Sequence, residues 1–363
     1  MRLTVGILFV VLATRTCTQA RAQDVQQPAK ASACQADPSE SALDGCGRAA
    51  CSDQGSSVYG QVEALFMKRE PRLVNQPIVV DPNTGTTFLS TSDLGFKFDP
   101  GLRATVGVDL CGGRALEFTY FDLFQGTASG LATRPDANAF LTFPNNLFGN
   151  VFVGMDLDRV SYSSRVQSFE LNLPCHIGCC ECCDTCGCGA LHCRSFEWLA
   201  GFRYIDLNEE LNILAQKTVS GAVEEGTYDI RTSNRLFGAQ LGARLRRSSC
   251  QFGWEATGKA GVFANDAQER QSVVDFPTFP IRPTVSSSGN RTAFVGEFNL
   301  SAFCRLTDIW SLRGGYNVMW IEGLALAPDQ LDFNFATSPS GNVLHNNGGM
   351  FLHGVNVGLE ARW

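Results

Sequence analysis

Alternation of apolar and polar side chains with a period of two most constrains this chain. In "GLRATVGVDL" (101–110), apolar residues at every second position from Leu102 alternate with polar or small residues from Arg103. Successive side chains of a strand point to opposite faces, so each such strand has one apolar and one polar face. The segments are near the ten residues that a tilted membrane-crossing strand needs. Soluble sandwiches also alternate, so the period alone does not select a membrane barrel.

The lengths of the connections discriminate better. The pattern predicts ten strands, near 58–67, 102–111, 115–124, 160–173, 195–207, 234–246, 251–264, 292–304, 309–324 and 350–363. Long connections (68–101, 125–159, 208–233, 265–291 and 325–349) alternate with short turns, as in an outer-membrane barrel with long outer loops and tight periplasmic turns. All fourteen prolines lie outside these spans, as expected because proline cannot donate to a closed ladder. Residues 140–156 could add two short strands, so twelve strands are the alternative to ten.

The last strand ends on an aromatic residue. In "FLHGVNVGLEARW" (351–363), Trp363, Ala361 and Leu359 share one parity with the apolar residues before them. Such an ending resembles the assembly signal of bacterial outer-membrane barrels, which implies recognition by the barrel-assembly machinery. The alternative is a soluble protein that ends on a buried edge strand. Other aromatic residues of the apolar parity are predicted to anchor at the membrane interface, namely Trp198, Trp254, Trp310, Trp320 and Tyr316.

The N-terminus fits a secretory signal peptide over residues 1–22, with an apolar run after Arg2 and a small-residue cleavage site ending at Ala22. Its removal takes three of the 29 basic residues and none of the 36 acidic ones, leaving a net charge of about −10. Nucleic acid is therefore not expected as a partner. Residues 23–55 are predicted to form a poorly structured periplasmic segment before a barrel over 56–363, in the bacterial outer membrane.

Several stretches resemble the putative β-barrel porin 7 family of bacterial outer-membrane proteins. They are "YGQVEALFMKRE" (59–70), "WLAGFRYIDLNEEL" (198–211), "NRLFGAQLGARL" (234–245), "RGGYNVMWIEGLALAP" (313–328) and "HGVNVGLEARW" (353–363). Each is a strand with its flanking residues, so the resemblance implies fold and location and no particular reaction. The cysteine insert departs from the family pattern.

If the apolar faces meet lipid, the polar faces line the interior. The predicted interior residues are Arg103, Asp109, Glu117, Glu170, Glu197, Arg203, Arg244, Glu255, Lys259, Glu297, Arg313, Glu360 and Arg362. Six basic and seven acidic side chains in a narrow tube would pair with each other. We therefore expect either a porin-like passive channel for small solutes or a closed barrel with a structural or surface-interaction role. Oligomeric state is left open.

Cysteines cluster in "CHIGCCECCDTCGCGALHC" (175–193), which holds eight of the fifteen. On the predicted topology this insert, 174–194, is a periplasmic turn, and the other mature cysteines also fall on the periplasmic side. An oxidising compartment favours disulfide bonds. The alternative is a metal site built from Cys180, Cys183, Cys186 and Cys188, whose spacing suits zinc.

Catalysis is not expected. The chain has four histidines, His176, His192, His345 and His353, and none stands in a local motif with a nucleophile and an acid. No cofactor is expected, and the expected partners are outer-membrane lipid and small solutes.

Overall fold

The computed structural model describes residues 57–110, 113–136, 139–144, 151–176, 193–249, 251–275, 279–334 and 341–363. The predicted signal peptide, the segment 23–55 and most of the cysteine insert lie outside these ranges.

Ten antiparallel strands close into a barrel, as the alternation predicts. They are β1 (Val58–Arg72), β4 (Phe98–Leu110), β5 (Arg114–Thr133), β8 (Leu157–His176), β9 (Cys193–Val219), β10 (Ala222–Ser248), β11 (Phe252–Asp275), β12 (Phe279–Arg305), β13 (Trp310–Leu324) and β14 (Gly348–Arg362). Around the barrel their order is β1-β14-β13-β12-β11-β10-β9-β8-β5-β4, and β4 pairs with β1.

The first and last strands close the barrel. The backbone N–H of Val58 donates to the carbonyl of Trp363 over 3.2 Å, and the N–H of Trp363 donates to Val58 over 2.9 Å. We call this the terminal end of the barrel, and the opposite end the loop end. Because the barrel strands leave no open edge, their backbone N–H and C=O groups pair within the sheet. Lipid offers these groups no other hydrogen-bond partner.

The strands are longer than predicted. The predicted loops 208–233 and 265–291 belong largely to strands, because β9 and β10 continue to a tight turn at Ser220 and Gly221, and β11 and β12 also extend. Both turn residues have positive φ, 51° and 86°, the geometry that suits the twist of a two-residue hairpin. Long connections remain at 73–97, 134–156 and 325–347. The barrel strands also include five prolines, so the expectation that strands exclude proline is wrong at Pro71, Pro100, Pro174, Pro280 and Pro283.

The two faces of the strands exchange polarity partway along the barrel. On β9, Trp198 and Phe202 face outward with 52% and 73% of their surface exposed, whereas Arg203 faces inward. Beyond Tyr204 the outward residues become polar, and the inward Ile205 and Leu207 are fully buried. The part near the terminal end is therefore suited to lipid outside, and the part near the loop end to water outside.

A small sheet packs at the loop end. It comprises β2 (Pro77–Val80), β3 (Thr87–Ser90), β6 (Leu141–Thr142) and β7 (Val153–Met155), in the order β3-β2-β6-β7. Residues 140–156 thus contribute two short strands to this separate sheet and none to the barrel sheet, which has ten strands. Phe143 and Phe152 stack with ring centroids 4.7 Å apart and share an apolar core with inward residues of the barrel such as Tyr162 and Tyr228.

Helices are minor. Two short 3-10 turns, Thr91–Asp93 and Pro328–Gln330, occur in the loop-end connections. Among the described residues no helix is long and apolar enough to cross a membrane.

Asp158 makes the loop-end core sensitive to pH. It is the second residue of β8, beyond the lipid-facing part, and is fully buried between Ala132 and Ala215 on the neighbouring strands. Neither carboxyl oxygen has a hydrogen-bond partner in the described part of the chain. Burial raises the pKa of Asp158 to about 8, because the charged form loses its hydration.

We predict that Asp158→Asn flattens the pH dependence of stability. An unfolded Asp loses its proton near pH ~4, whereas the folded protein keeps it up to pH 8, so the Asp158 contribution to stability falls as pH rises between these values. Urea unfolding in detergent micelles at pH 5 and pH 8 measures the effect. If the free energy of unfolding depended on pH in the same way for wild type and variant, the raised pKa of Asp158 would be contradicted.

Candidate functional site

The interior near the terminal end is the candidate site, because charged side chains converge there. The thirteen interior residues predicted above all lie at inward positions of their strands. Eleven of them form the buried ion pairs described below. Asp109 and Arg362 lie at the terminal rim, where Asp109 accepts a hydrogen bond from the Ser57 hydroxyl and Arg362 pairs with Glu360 over 2.9 Å.

Three cations and three carboxylates form a central cluster. Arg203 Nη1 lies 2.7 Å from Glu297 Oε2 and 3.3 Å from Glu170 Oε1. Lys259 Nζ lies 2.8 Å from Glu170 and 3.4 Å from Glu297. Arg103 completes the set, with nitrogens 3.3 Å from Glu297 and 3.4 Å from Glu63.

These pairs cross the interior. Arg103 on β4 and Glu297 on β12 stand four strands apart around the ten-strand barrel. Lys259 on β11 reaches Glu170 on β8, three strands away. Side chains that meet from such distant strands occupy the space that a hydrated channel would need.

Amide side chains fill the remaining hydrogen-bonding positions. Asn317 accepts from Arg103 Nη1 over 2.9 Å and donates to Asn356 over 2.9 Å. Gln240 donates to Glu170 over 2.9 Å. Buried charges are tolerated when their remaining donors and acceptors are also satisfied, so these amides stabilise the cluster.

A second charged cluster lies toward the terminal end. Arg313 contacts Glu360 over 2.6 Å and Glu255 over 2.8 Å, and Arg246 contacts the same two carboxylates over 2.9 Å and 3.2 Å. Arg244 pairs with Glu117 at 3.0 Å and with Glu197 at 3.3 Å. Arg246 on β10 and Glu360 on β14 again stand four strands apart.

Across both clusters, six cations face seven carboxylates, and Arg362 at the rim adds a seventh cation through its pair with Glu360. Glu63 and Arg246 are not among the predicted interior residues, although Glu63 lies in a predicted strand and Arg246 ends one. Strict alternation from Leu65 would have placed Glu63 inside. Strict alternation from Arg244 would likewise have placed Arg246 inside and Arg247 on the outer face.

A mainly apolar layer, which also buries the amides of Asn234 and Asn265, follows toward the loop end. Its buried apolar side chains come from all around the barrel: Leu65, Met67, Phe121, Leu123, Val166, Ile205, Leu207, Leu236, Phe263, Met319, Ile321, Met350 and Leu352. The polar faces of the strands predict a polar interior along their whole length, and that prediction is wrong in this layer. Ordered packing of this kind leaves no room for water between neighbours.

The voids within the charged region are small. One of about 60 Å³ lies among Tyr59, Arg103, Arg313 and their neighbours, and another of about 120 Å³ lies at the terminal mouth beside His176. A void needs roughly 10–15 Å³ of such space to hold one water molecule, so each of these spaces holds a small group of waters.

Inward glycines do not widen the interior. The ring of Tyr59 lies over Gly107, where an added Cβ would come within 2.1 Å of it, and the ring of Phe263 covers Gly238 in the same way. Neighbouring side chains therefore take the space that these glycines leave.

The described cysteines gather at the terminal end. Cys175 is the penultimate residue of β8, Cys193 begins β9, and Cys304 is the penultimate residue of β12. Cys180, Cys183, Cys186 and Cys188, the alternative metal ligands, lie outside the described residues. Elsewhere, no group of three or more potential metal ligands occurs in the described ranges.

The C-terminal residues of the predicted assembly signal lie on the outer face. Trp363 and Leu359 are 63% and 44% exposed, whereas Ala361, which has the same parity and pairs with Trp310 of β13, is 3% exposed. The predicted interfacial aromatics, Trp198, Trp254, Trp310, Trp320 and Tyr316, are likewise exposed on the outside.

Comparison with known proteins agrees with this architecture. A family model described as putative beta barrel porin-7 matches residues 78–363. A search of curated proteins finds no significant match. Similar solved structures include the outer membrane protease OmpT from Escherichia coli, with 10% identity, 85% of this chain and 97% of that chain covered, and a TM-score of 0.45.

Two further solved structures match over a similar share of this chain. A FadL homologue from Pseudomonas aeruginosa has 7% identity, covers 85% and 90% of the two chains, and has a TM-score of 0.24. An anion-selective porin from Comamonas acidovorans has 11% identity, coverage of 85% and 99%, and a TM-score of 0.13. At these identities and TM-scores the similarities do not indicate an activity for this chain.

We predict that Arg203→Met lowers the free energy of unfolding by about 3–5 kcal/mol, because it leaves two buried carboxylates short of a partner. Adding Glu297→Gln should restore part of the loss. Equilibrium urea unfolding in micelles measures both. The control is Arg231→Met, which breaks the exposed pair with Glu210 and should cost under about 1 kcal/mol. Equal losses for the two single variants would contradict the predicted role of the buried pairs.

Proposed function

The chain belongs to the putative beta barrel porin-7 family, and on that premise we propose that it is an outer-membrane barrel closed to solutes. Its role is then structural or one of surface interaction. The observation that carries this proposal is the set of ion pairs that cross the interior, above all Arg103 with Glu297 and Arg246 with Glu360.

Two further layers support closure. The apolar layer around Leu65, Phe121 and Ile321 stands between the charged clusters and the loop end. The small loop-end sheet packs its phenylalanines against the inward side chains beyond that layer. An ion would have to pass both apolar regions without its hydration shell, which is costly.

Passive permeation of small solutes is the second candidate, and the family description favours it. It would require the paired side chains to separate and the apolar layer to part. The resulting unpaired buried charges would be strongly unfavourable. Catalysis is not part of the proposal: His176 pairs with Glu197 in the wall, and His353 bonds the Tyr316 hydroxyl on the outer face.

We propose that the terminal end faces the periplasm and that an N-terminal signal peptide exports the chain. Three of the four connections between consecutive strands at that end are turns of three or four residues, and three of the five at the other end are long, which supports this orientation. We also propose that disulfide bonds hold the N-terminal segment and the cysteine insert at the terminal mouth. The shared location of Cys175, Cys193 and Cys304 supports it, as does the oxidising compartment.

Single-channel recording tests closure. We predict that the refolded, oxidised protein in planar bilayers gives no ohmic openings across a range of salt concentrations. A known open porin, reconstituted in the same way, is the positive control, and slower migration of the protein on gels after boiling verifies that the barrel is folded. Steady openings whose conductance rises with salt would favour permeation instead.

A further inference from the structure

The outer surface changes from apolar to polar along one row of aromatic side chains. Phe169, Tyr204 and Phe237 pair directly across β8, β9 and β10. Their ring centroids are 6.3 Å and 4.7 Å apart. Two residues further toward the loop end, the same strands carry Gln167, Asp206 and Arg235. Aromatic rows of this kind mark the edge of the hydrocarbon region.

An apolar groove of about 280 Å³ lies on the lipid side of this row. It is lined chiefly by Phe118, Phe169, Leu171, Phe202 and Phe237. A groove of this shape and composition, open to the bilayer, suits an acyl chain.

A polar groove of about 830 Å³ lies on the other side of the row, over β8 to β12. One of its rows runs across five paired strands as Ser163, Glu210, Arg231, Arg270 and Ser286. Two residues along a tilted strand advance about 5 Å along the barrel axis. The groove begins at Gln167, about 5 Å beyond the aromatic row, and Arg231 lies about 15 Å beyond it, where a sugar headgroup extends from the bilayer surface.

On the outward face of the polar groove three arginines exceed one carboxylate, because Glu209 and Glu269, which also line it, are buried at inward positions. Arg165 pairs with Asp122 and Arg231 pairs with Glu210, both over 2.8 Å. Arg270 is exposed, and within the described ranges its side chain has no ion-pair or hydrogen-bond partner. It stands directly opposite Arg231 on the neighbouring strand. Like charges directly opposite each other repel, and an anion bound between the two guanidinium groups would offset that repulsion.

We propose that the two grooves together bind an outer-leaflet lipid with a phosphorylated sugar headgroup. Arg231 and Arg270 bind the phosphate, since guanidinium groups match phosphate oxygens in a bidentate manner. The hydroxyls of Ser163 and Ser286 can bond sugar hydroxyls, and an acyl chain lies along Phe169 and its neighbours. This site lies outside the barrel, so it does not depend on whether the interior conducts.

The test uses the full refolded protein in mixed micelles with a defined probe, a hexa-acylated diglucosamine bisphosphate. Native mass spectrometry counts the bound lipid as its concentration is raised. The variant is Arg231→Gln with Arg270→Gln. The control is Arg72→Gln, an outward arginine on β1 across the barrel that is 78% exposed and pairs with Glu322. Slower gel migration after boiling confirms that each variant is folded.

We expect the double variant to lower the apparent affinity about tenfold or more, because charge-assisted hydrogen bonds to the phosphate are lost. The control should bind as wild type does. The dephosphorylated form of the same lipid should bind wild type as weakly as the double variant binds the intact probe. Equal binding by double variant and wild type would overturn the proposal. The proposal would also be overturned if the soluble, deacylated headgroup bound as tightly as the intact lipid, because a lipid site requires contacts with the acyl chains.

Discussion

Neutralisation of charge inside a tube surrounded by lipid is the constraint on which the rest of this structure depends. At the depth where the outer face is apolar, neither the outside nor the narrow interior offers enough water to hydrate thirteen ionised side chains. Each cation therefore contacts at least one carboxylate, and amides such as Asn317 occupy remaining hydrogen-bonding sites. Removing one member exposes the others to the full desolvation cost, so these side chains act as one unit.

The exchange of polarity along the strands follows from the change of solvent outside. Where lipid covers the outer face, polar side chains can only point inward. Beyond the row of Phe169, Tyr204 and Phe237, water covers the outer face, and the interior becomes a mainly apolar core in which some polar side chains, such as Arg69 and Glu209, are also buried. The long hairpin of β9 and β10 is stable there because Ile213, Tyr228 and the small sheet bury one another. The same boundary places an arginine-lined groove directly beside an apolar one.

Much of the barrel could be predicted from alternation, since a period of two fixes which residues share a face. The ten strands and the interior positions of residues such as Glu197 and Arg203 follow from it. The strand ends do not, because the exchange of polarity at Tyr204 makes the continuation of β9 look like a polar loop. Partners also require three-dimensional information: Arg103 and Glu297 are 194 residues apart in the chain, and no local pattern connects them.

Osmotic water permeability of proteoliposomes tests closure of the interior most directly, because water is smaller than any solute that a porin would carry. Vesicles with and without the oriented, folded protein are shrunk in a stopped-flow instrument and followed by light scattering. The crossed ion pairs and the apolar layer predict equal shrinkage rates for both. A rate that rises in proportion to the amount of protein in the membrane would contradict a closed interior.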